Sequence, residues 1–154
     1  MDIGRGEPLI RSLKADDCAR LVSMDQEISG RNRRAWYEGK TRRALEESDV
    51  RISLGADVDG SLVGALLGSV HYGEFGQPEP VAILDTLLVD PAFARRGIAT
   101  AMLRQLLQNL SALRIERLRT EVAWNELDLM AFFERAGFAP VPRLVLELPV
   151  PAAR

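Results

Sequence analysis

The chain has 154 residues, of which 47% are hydrophobic and 27% charged, with a formal net charge of −2. This balance is typical of one globular domain, and it gives no reason to expect nucleic acid or an anionic membrane as a partner. The only cysteine, Cys18, excludes an internal disulfide and a cysteine-based zinc site, and any metal cluster would depend on the one histidine, His71. We find no signal-peptide pattern and no membrane-length apolar run, so we expect a single cytoplasmic domain over residues 1–154 without a metal.

The first half of the chain predicts, in order, a strand, two helices and a hairpin of two strands. Helical spacing and strict alternation of apolar residues distinguish the two kinds of element. Asp59-Gly60 is the strongest short-range signal for a two-residue hairpin turn. The predicted ranges are 8–13 for the strand, 15–28 and 31–48 for the helices, and 51–58 and 61–72 for the hairpin strands.

The second half alternates strands and helices. Residues 81–89 predict an apolar strand, and a glycine turn then leads to a helix over 99–113 whose apolar residues recur at steps of three and four. A strand over 115–122, a helix ending before Gly137 and a last strand over 144–148 complete the chain.

The last helix carries predicted end signals. Asn125 is expected as its N-cap, with Asp128 completing an approximate capping box. Gly137 is expected to end it, with Phe138 packed back on Phe133.

This order predicts an α+β (mixed α/β) fold. Hairpins come first and form antiparallel strand pairs, whereas a helix connects the 81–89 and 115–122 strands and makes that pair parallel. We therefore expect a central, mixed, mostly antiparallel sheet flanked by four helices.

The turn before the 99–113 helix predicts a phosphate site. A helix that opens on a glycine turn directs unpaired N–H groups and the positive end of its dipole at the space in front of it. Gly97 and Ala99 permit close backbone approach, and Arg95 and Arg96 can add charge. An ordinary loop-to-helix junction with a solvated arginine pair is the alternative.

Two motifs resemble one family. Residues 87–91, the segment 94–99 and the following amphipathic helix resemble the acetyl-CoA-binding motif of the GCN5-related N-acetyltransferases (GNAT), Gln/Arg-x-x-Gly-x-Gly/Ala. Asn125 and the FFERAGF run over 132–138 resemble the second motif of that family, and the order of elements also matches. The resemblance implies a GNAT-like fold and direct transfer of an acetyl group from acetyl-CoA to an amine in a ternary complex. A non-catalytic CoA-binding sensor or scaffold is the alternative.

The resemblance also implies how CoA is held. Backbone groups of Leu87 and Val89 would pair with the pantetheine arm like an extra strand, between strands 81–89 and 115–122 that splay apart to admit it. The N–H of Val89 would polarise the thioester carbonyl, and Asn125 would lie near the pantetheine or the thiol. The CoA-binding residues expected are Leu87, Leu88, Val89, Arg95, Arg96, Gly97, Ile98, Ala99, Thr100 and Asn125.

Two departures from the family pattern stand out. Ala94 replaces the first Gln or Arg of the phosphate motif, which removes one side-chain contact. Many members carry a tyrosine on the last helix that protonates the leaving CoA thiolate, whereas Phe132 and Phe133 occupy this region here. Tyr72 is the substitute donor that we expect. His71 and Glu74 are further residues that could line the acceptor site.

Asp85 is the predicted general base. It interrupts an apolar strand at a position where family members often carry a glutamate. We expect its side chain on the face of Leu87 and Val89, with Thr86 on the other face. An apolar setting favours a carboxylate that can take up a proton near neutral pH. A structural aspartate that binds backbone or an arginine is the alternative.

The acceptor wall is expected over residues 25–43, because the first two helices of this family close over the substrate. The simplest interpretation of this basic stretch is a solvated helix face. The sharper one is an acceptor carrying carboxylate or phosphate, clamped by Arg33 or Arg34 beside Trp36 and Tyr37. A small-molecule amine and a peptide or protein amine both stay open, and so does a homodimer through the C-terminal strand region.

Overall fold

The computed structural model describes residues 6–46, 52–73, 76 and 78–153. It forms two compact units, residues 1–121 and 122–154, so the single domain expected from the sequence stays a prediction. Among the described residues, no helix is long and apolar enough to cross a bilayer. The elements are β1 (Leu9–Ser12), α1 (Cys18–Ser29), α2 (Arg34–Glu46), β2 (Leu54–Val58), β3 (Ser61–His71), β4 (Val81–Val89), α3 (Ile98–Ala112), β5 (Leu118–Thr120) and α4 (Leu127–Ala136).

The first unit is built on a mixed five-stranded sheet with the order β1-β2-β3-β4-β5. Strands β1 to β4 pair antiparallel, and β4 and β5 pair parallel. At the β2–β3 turn, Asp59 has φ +50° and Gly60 φ +79°, as a two-residue hairpin turn of type I′ requires. These pairings confirm the α+β fold and the predicted hairpin.

Helices α1, α2 and α3 cover the two faces of this sheet. Ala65 of β3 and Leu88 of β4 belong to a buried cluster with residues of α1 and α2, which defines the α1–α2 face. A Cβ added to Gly64 would lie 2.8 Å from Cγ2 of Ile98 and 3.1 Å from Cε of Met102, so the neighbouring β3 position faces α3. Gly64 is required there because α3 lies too close to the sheet for any side chain.

An ion network fixes β1 to β2 and to the 3-10 turn before α1. The Arg11 guanidinium donates two hydrogen bonds to Asp17 and two to Asp57, at 2.7–3.1 Å. Burial alone would raise the pKa of Asp17, but the bonds from Arg11 and from the Lys14 amide outweigh it and hold that pKa below its usual value. The two carboxylates in turn raise the pKa of Arg11.

In the second unit, one end of α4 follows the prediction and the other does not. Gly137 has φ +103°, its N–H binds O of Glu134 at 3.0 Å, and the N–H of Phe138 binds O of Phe133 at 2.9 Å. These bonds form a Schellman motif, and the Phe133 and Phe138 ring centroids lie 4.9 Å apart. The predicted N-cap is wrong, because the helix begins one residue later and Glu126 occupies the cap position without a side-chain bond.

The last predicted strand, 144–148, is also wrong. Residues 137–153 form neither helix nor strand, and the apolar side chains over 144–148 are exposed. An apolar alternating sequence becomes a strand only when a neighbour pairs its backbone groups, and these described residues have no such ladder. β5 is likewise shorter than the predicted 115–122. The homodimer expected through this segment stays a prediction.

Candidate active site

A β-bulge sets the position of Asp85. Leu67 of β3 pairs with Thr86 and the next residue, Gly68, pairs with Leu84, so Asp85 is an extra residue on β4. An extra residue of this kind bends the strand and shifts the alternation of side chains and backbone groups beyond it. The predicted sharing of a face by Asp85, Leu87 and Val89 is wrong for this reason.

Beyond the bulge, the backbone groups of Leu87 and Val89 face the β5 side of β4. The N–H of Asp90 donates to O of Val63 at 2.8 Å, and antiparallel residues alternate between facing the partner strand and facing away. Counting back from this bond, Leu88 faces β3, whereas Leu87 and Val89 direct their N–H and C=O groups to the opposite side.

On that opposite side the β4–β5 ladder has already ended. Its last pair is Leu84–Thr120, where the Thr120 hydroxyl donates to O of Leu84 at 2.8 Å. We call Asp85–Val89, on the side toward β5, the splayed edge. Because backbone groups alternate in direction along the strand, those of Leu87 and Val89 point out from this edge. An extended ligand could pair with them as a neighbouring strand would.

Asp90 fixes the exit of β4 toward the turn. Its carboxylate accepts from the N–H of Ala92 at 2.9 Å and from Nη2 of Arg20 at 2.5 Å. Arg20 also donates to O of Leu62 at 3.0 Å, so the carboxylate connects α1, β3 and the turn. This buried junction holds the direction in which residues 91–97 leave the sheet.

The segment 94–99, which we call the phosphate turn, ends on the N-terminus of α3. Gly97 is the N-cap with φ +78°, and the described chain supplies no side-chain cap. The first intrahelical bond runs from the N–H of Ala101 to O of Gly97 at 2.9 Å, which leaves the N–H groups of residues 98–100 directed outward. A Cβ on Gly97 would meet nothing within 4 Å, so the space in front of this helix end is open.

The side chains of the phosphate turn divide into two groups. Arg95 and Arg96 are exposed, and Cζ of Arg96 lies 5.0 Å from the ring centroid of Phe93. Ile98 is buried and can offer a ligand its N–H alone. Arg95 has φ +62°, a left-handed conformation that few non-glycine residues adopt. The turn therefore combines backbone donors with two exposed guanidinium groups.

Asp85 lies in a polar cluster on the α1–α2 face. Nζ of Lys40, on α2, donates to Asp85 Oδ2, and the hydroxyl of Thr86 donates to Oδ1 at 2.9 Å. The side chain of Asp85 is 29% exposed and that of Lys40 18%. The expected apolar setting is therefore wrong: Asp85 is exposed, and its carboxylate is ion-paired and next to Thr86.

The predicted acceptor wall separates into structural and exposed residues. Arg33 donates from Nε and Nη2 to both oxygens of Asp25, at 2.8 and 2.5 Å, and the Asp25 side chain is only 2% exposed. Tyr37 is buried in the core; burial, with a smaller effect of Asp25, raises its pKa. Arg33 and Tyr37 thus join α1 to α2, whereas Arg34 and Trp36 are exposed.

Tyr72 and His71 lie toward the other end of β4. His71 pairs with Val81, eight residues from Val89 and four from Asp85. At about 3.3 Å per residue, this places the end of β3 about 13 Å from Asp85 along the sheet. Nε2 of His71 lies 3.1 Å from the Ser69 hydroxyl, and Tyr72 is exposed. The structure does not bring Tyr72 to the splayed edge, and Glu74 lies outside the described residues.

The remaining predicted residues belong to the second unit. Asn125 is exposed in the turn before α4, where the N–H of Glu126 donates to O of Ala123 at 2.9 Å. Phe133 is buried, and the centroid of its ring lies 5.4 Å from that of Phe132 and 4.9 Å from that of Phe138. The two phenylalanines at the expected tyrosine region therefore form part of an aromatic cluster on α4.

Comparison with known proteins identifies the family. The model described as "Acetyltransferase (GNAT) family" matches residues 16–138, and the chain therefore belongs to the GNAT acetyltransferase family. It is 28% identical over 133 residues to the uncharacterized N-acetyltransferase YafP of Escherichia coli (strain K12). The aligned region covers 83% of this chain and 74% of that protein.

Solved structures share the fold. Aminoglycoside N-acetyltransferase AAC(6')-Iy in complex with CoA superposes with a TM-score of 0.77 at 16% identity, over 94% of this chain and 97% of that one. Aminoglycoside acetyltransferase HMB0005, from an uncultured soil metagenomic sample, superposes with a TM-score of 0.68 at 25% identity, over 96% and 100%. These similarities confirm the predicted GNAT-like fold.

Sequence reasoning missed three features of the site. Lys40 is one of several cationic residues on α2. No pattern in the sequence indicates that its side chain contacts Asp85, which lies 45 residues further along the chain. The bulge at Asp85 left no signal either, because its flanking residues are ordinary for a strand. Asp90 before Pro91 could have been identified as a turn-capping residue.

Proposed function

We propose that this chain is an acetyl-CoA-dependent N-acetyltransferase, an acyltransferase that moves an acetyl group directly to an amine in a ternary complex. One observation supports this above all. A single strand, β4, carries a carboxylate on one face and backbone donors at its splayed edge, and it leads directly into the open N-terminus of α3. A base, a carbonyl polariser and an anion site are thus ordered along residues 85–100.

CoA fits the groups present. The pyrophosphate would accept from the N–H groups at the start of α3, with Arg95 and Arg96 close enough in sequence to add charge. The pantetheine amides would pair with Leu87 and Val89 as an added strand. Leu88 and Ile98 are buried. Leu88 would contribute shape only, because its backbone groups face β3, and Ile98 would contribute its N–H. Thr100 and Ala99 border the same helix end. Asn125 belongs to the second unit, and its role at the thiol end stays a prediction from the family resemblance.

The chemistry needs few groups. The amine nitrogen attacks the thioester carbonyl carbon, the C–N bond forms, and the C–S bond breaks to release the CoA thiolate. Asp85 takes the proton of the amine, and the N–H of Val89 stabilises the developing oxyanion. A thiol with a pKa of about 8.5 is a good leaving group, so the reaction tolerates phenylalanines where a tyrosine donor is usual. Tyr72 has no part in this proposal because of its position.

The acceptor is proposed to be a primary amine that also carries a carboxylate or phosphate. Arg34 and Trp36 on the exposed side of α2 would hold that anion, since Arg33 is occupied by Asp25. Several solved structures of this fold are named aminoglycoside acetyltransferases. Those acceptors are polycations, which a basic α2 would repel.

An acceptor screen tests the activity. Thiol release from acetyl-CoA is measured with matched pairs, such as amino acids against their amides and phosphorylated amines against the parent amines, with aminoglycosides as a third group. We expect turnover with the anionic member of a pair. Preference for the neutral or polycationic compounds would refute the acceptor assignment and leave the transferase assignment intact.

Asp85→Asn separates the enzyme from a CoA-binding sensor or scaffold. We expect kcat/KM to fall at least about tenfold, as for loss of a general base, with CoA affinity by calorimetry kept. Glu38→Gln, which removes a negative charge from the exposed side of α2, is the control. Unchanged turnover in Asp85→Asn would refute the base. Tight CoA binding with no turnover on any amine would favour the sensor.

A further inference from the structure

Lysine is rare in this chain and one of its lysines meets the proposed base. Of 20 basic residues, two are lysines, Lys14 and Lys40, and the other 18 are arginines. Lys14 is exposed before α1, whereas the Lys40 side chain is 18% exposed with its Nζ on Asp85 Oδ2. The ammonium of Lys40 therefore occupies the place at Asp85 that the attacking amine of an acceptor would need.

We propose that Lys40 is itself an acetyl acceptor, so that the chain acetylates its own α2 helix from bound acetyl-CoA. This rests on the proposed function, because it uses the same base and the same thioester. It differs from the proposed function in needing no external amine. The nucleophile is already hydrogen-bonded to the group that must deprotonate it, which is the pairing of nucleophile and base that general-base catalysis needs.

The step balances without any further reactant. Lys40 gives its proton to Asp85 Oδ2, and the neutral Nζ attacks the thioester carbonyl carbon. The C–N bond forms, the C–S bond breaks, and CoA leaves as the thiolate. The nitrogen loses its second proton as the amide forms; this proton reaches the thiolate through water, and Asp85 returns the first proton to solvent. The products are Nζ-acetyl-Lys40, which is a neutral amide, and CoA.

The modification would stop after one turnover and change the site. An acetylated Nζ has no charge and no nucleophilic lone pair, so Lys40 could neither react again nor keep its ion pair with Asp85. Its neighbours on α2 cannot replace it, because Arg34, Arg42 and Arg43 carry guanidinium groups that stay protonated. On α2, self-acetylation is thus confined to Lys40, and we expect it to depend on Asp85.

The test is mass spectrometry of the intact chain incubated with acetyl-CoA and no acceptor. We expect the mass of one acetyl group to be gained and peptide mapping to place it on Lys40. Lys14 is the internal control for spontaneous chemistry, and Lys40 should react at least about tenfold faster. Lys40→Arg should remove the added mass and Asp85→Asn should slow its appearance at least about tenfold. The rate per chain should not depend on protein concentration.

Several results would overturn the proposal. Equal acetylation of Lys14 and Lys40 would mean spontaneous chemistry. An unchanged rate in Asp85→Asn would show that Asp85 is not the base. A rate per chain proportional to protein concentration would exclude transfer within one chain. CoA binding and amine screens on the same preparation keep the two proposals apart. Turnover with an amine beside an unmodified Lys40 refutes self-acetylation alone. Absence of both CoA binding and thiol release refutes the proposed function as well.

Discussion

Replacing Gly97 tests whether the phosphate turn binds CoA, and the chain offers a matched control. Gly97 has φ +78° and Gly30, at the C-terminal end of α1, has φ +74°. A Cβ on either residue would meet nothing within 4 Å. Gly97→Ala and Gly30→Ala therefore impose the same backbone strain with no steric clash inside the protein.

The two variants should lose similar stability and differ in CoA binding. A left-handed conformation costs a non-glycine residue about 1–2 kcal/mol. For a chain of this size that free energy corresponds to a drop in Tm of about 2–8 °C. At Gly97 the methyl group also stands in front of the outward N–H groups of α3. Loss of one hydrogen bond to a charged phosphate, about 1.5–3 kcal/mol, weakens Kd by about 10–100-fold.

Thermal unfolding and calorimetric titration with CoA measure these two quantities. We expect equal shifts in Tm, a Kd raised at least about tenfold in Gly97→Ala and an unchanged Kd in Gly30→Ala. If both variants bind CoA like the wild type, the phosphate-turn assignment is refuted. If both lose affinity equally, the loss follows from reduced stability and not from the turn.

Two further predictions concern the charged residues around the site. Arg33→Ala should lower the free energy of unfolding by about 1.5–3 kcal/mol, because it removes two charged hydrogen bonds from the buried carboxylate of Asp25, and the exposure of the arginine limits the loss. Arg34 is the neighbouring exposed residue, and Arg34→Ala should leave the free energy of unfolding unchanged and raise KM for an anionic acceptor. A loss of stability in Arg34→Ala by urea unfolding, with KM unchanged, would contradict its role in acceptor binding. Asp17→Asn should cost about 1.5–3 kcal/mol at neutral pH, since the carboxylate accepts charged hydrogen bonds. The folded state lowers the pKa of Asp17, so its contribution is complete above the ordinary value of 3.8 and is lost as the pH falls through the lower, folded pKa. The difference between wild type and Asp17→Asn in urea unfolding should therefore shrink below that value, with exposed Asp16→Asn as the control. A difference that persists at all pH values would contradict the ion network.

The sequence predicted those elements whose signals are local. The Asp59-Gly60 turn and the apolar run over 81–89 specify a hairpin and a central strand because turn chemistry and side-chain alternation act between near neighbours. The Schellman end of α4 at Gly137 was predictable for the same reason. The strand expected over 144–148 was not found, because a strand needs a partner and a partner is a tertiary property.

For the candidate site, the sequence by itself indicated the turn over 94–99 and the helix that follows it. Glycine favours the positive φ found at Gly97, and a helix beginning there exposes its first N–H groups. Only the tertiary structure decided the face of Asp85, because a bulge on β4 reverses the alternation, and only it brought Lys40 from α2 to that carboxylate. It also assigned Arg33 to Asp25 and Tyr37 to the core. Which charges meet depends on how helices pack across a sheet, and no short-range spacing in the chain records that choice.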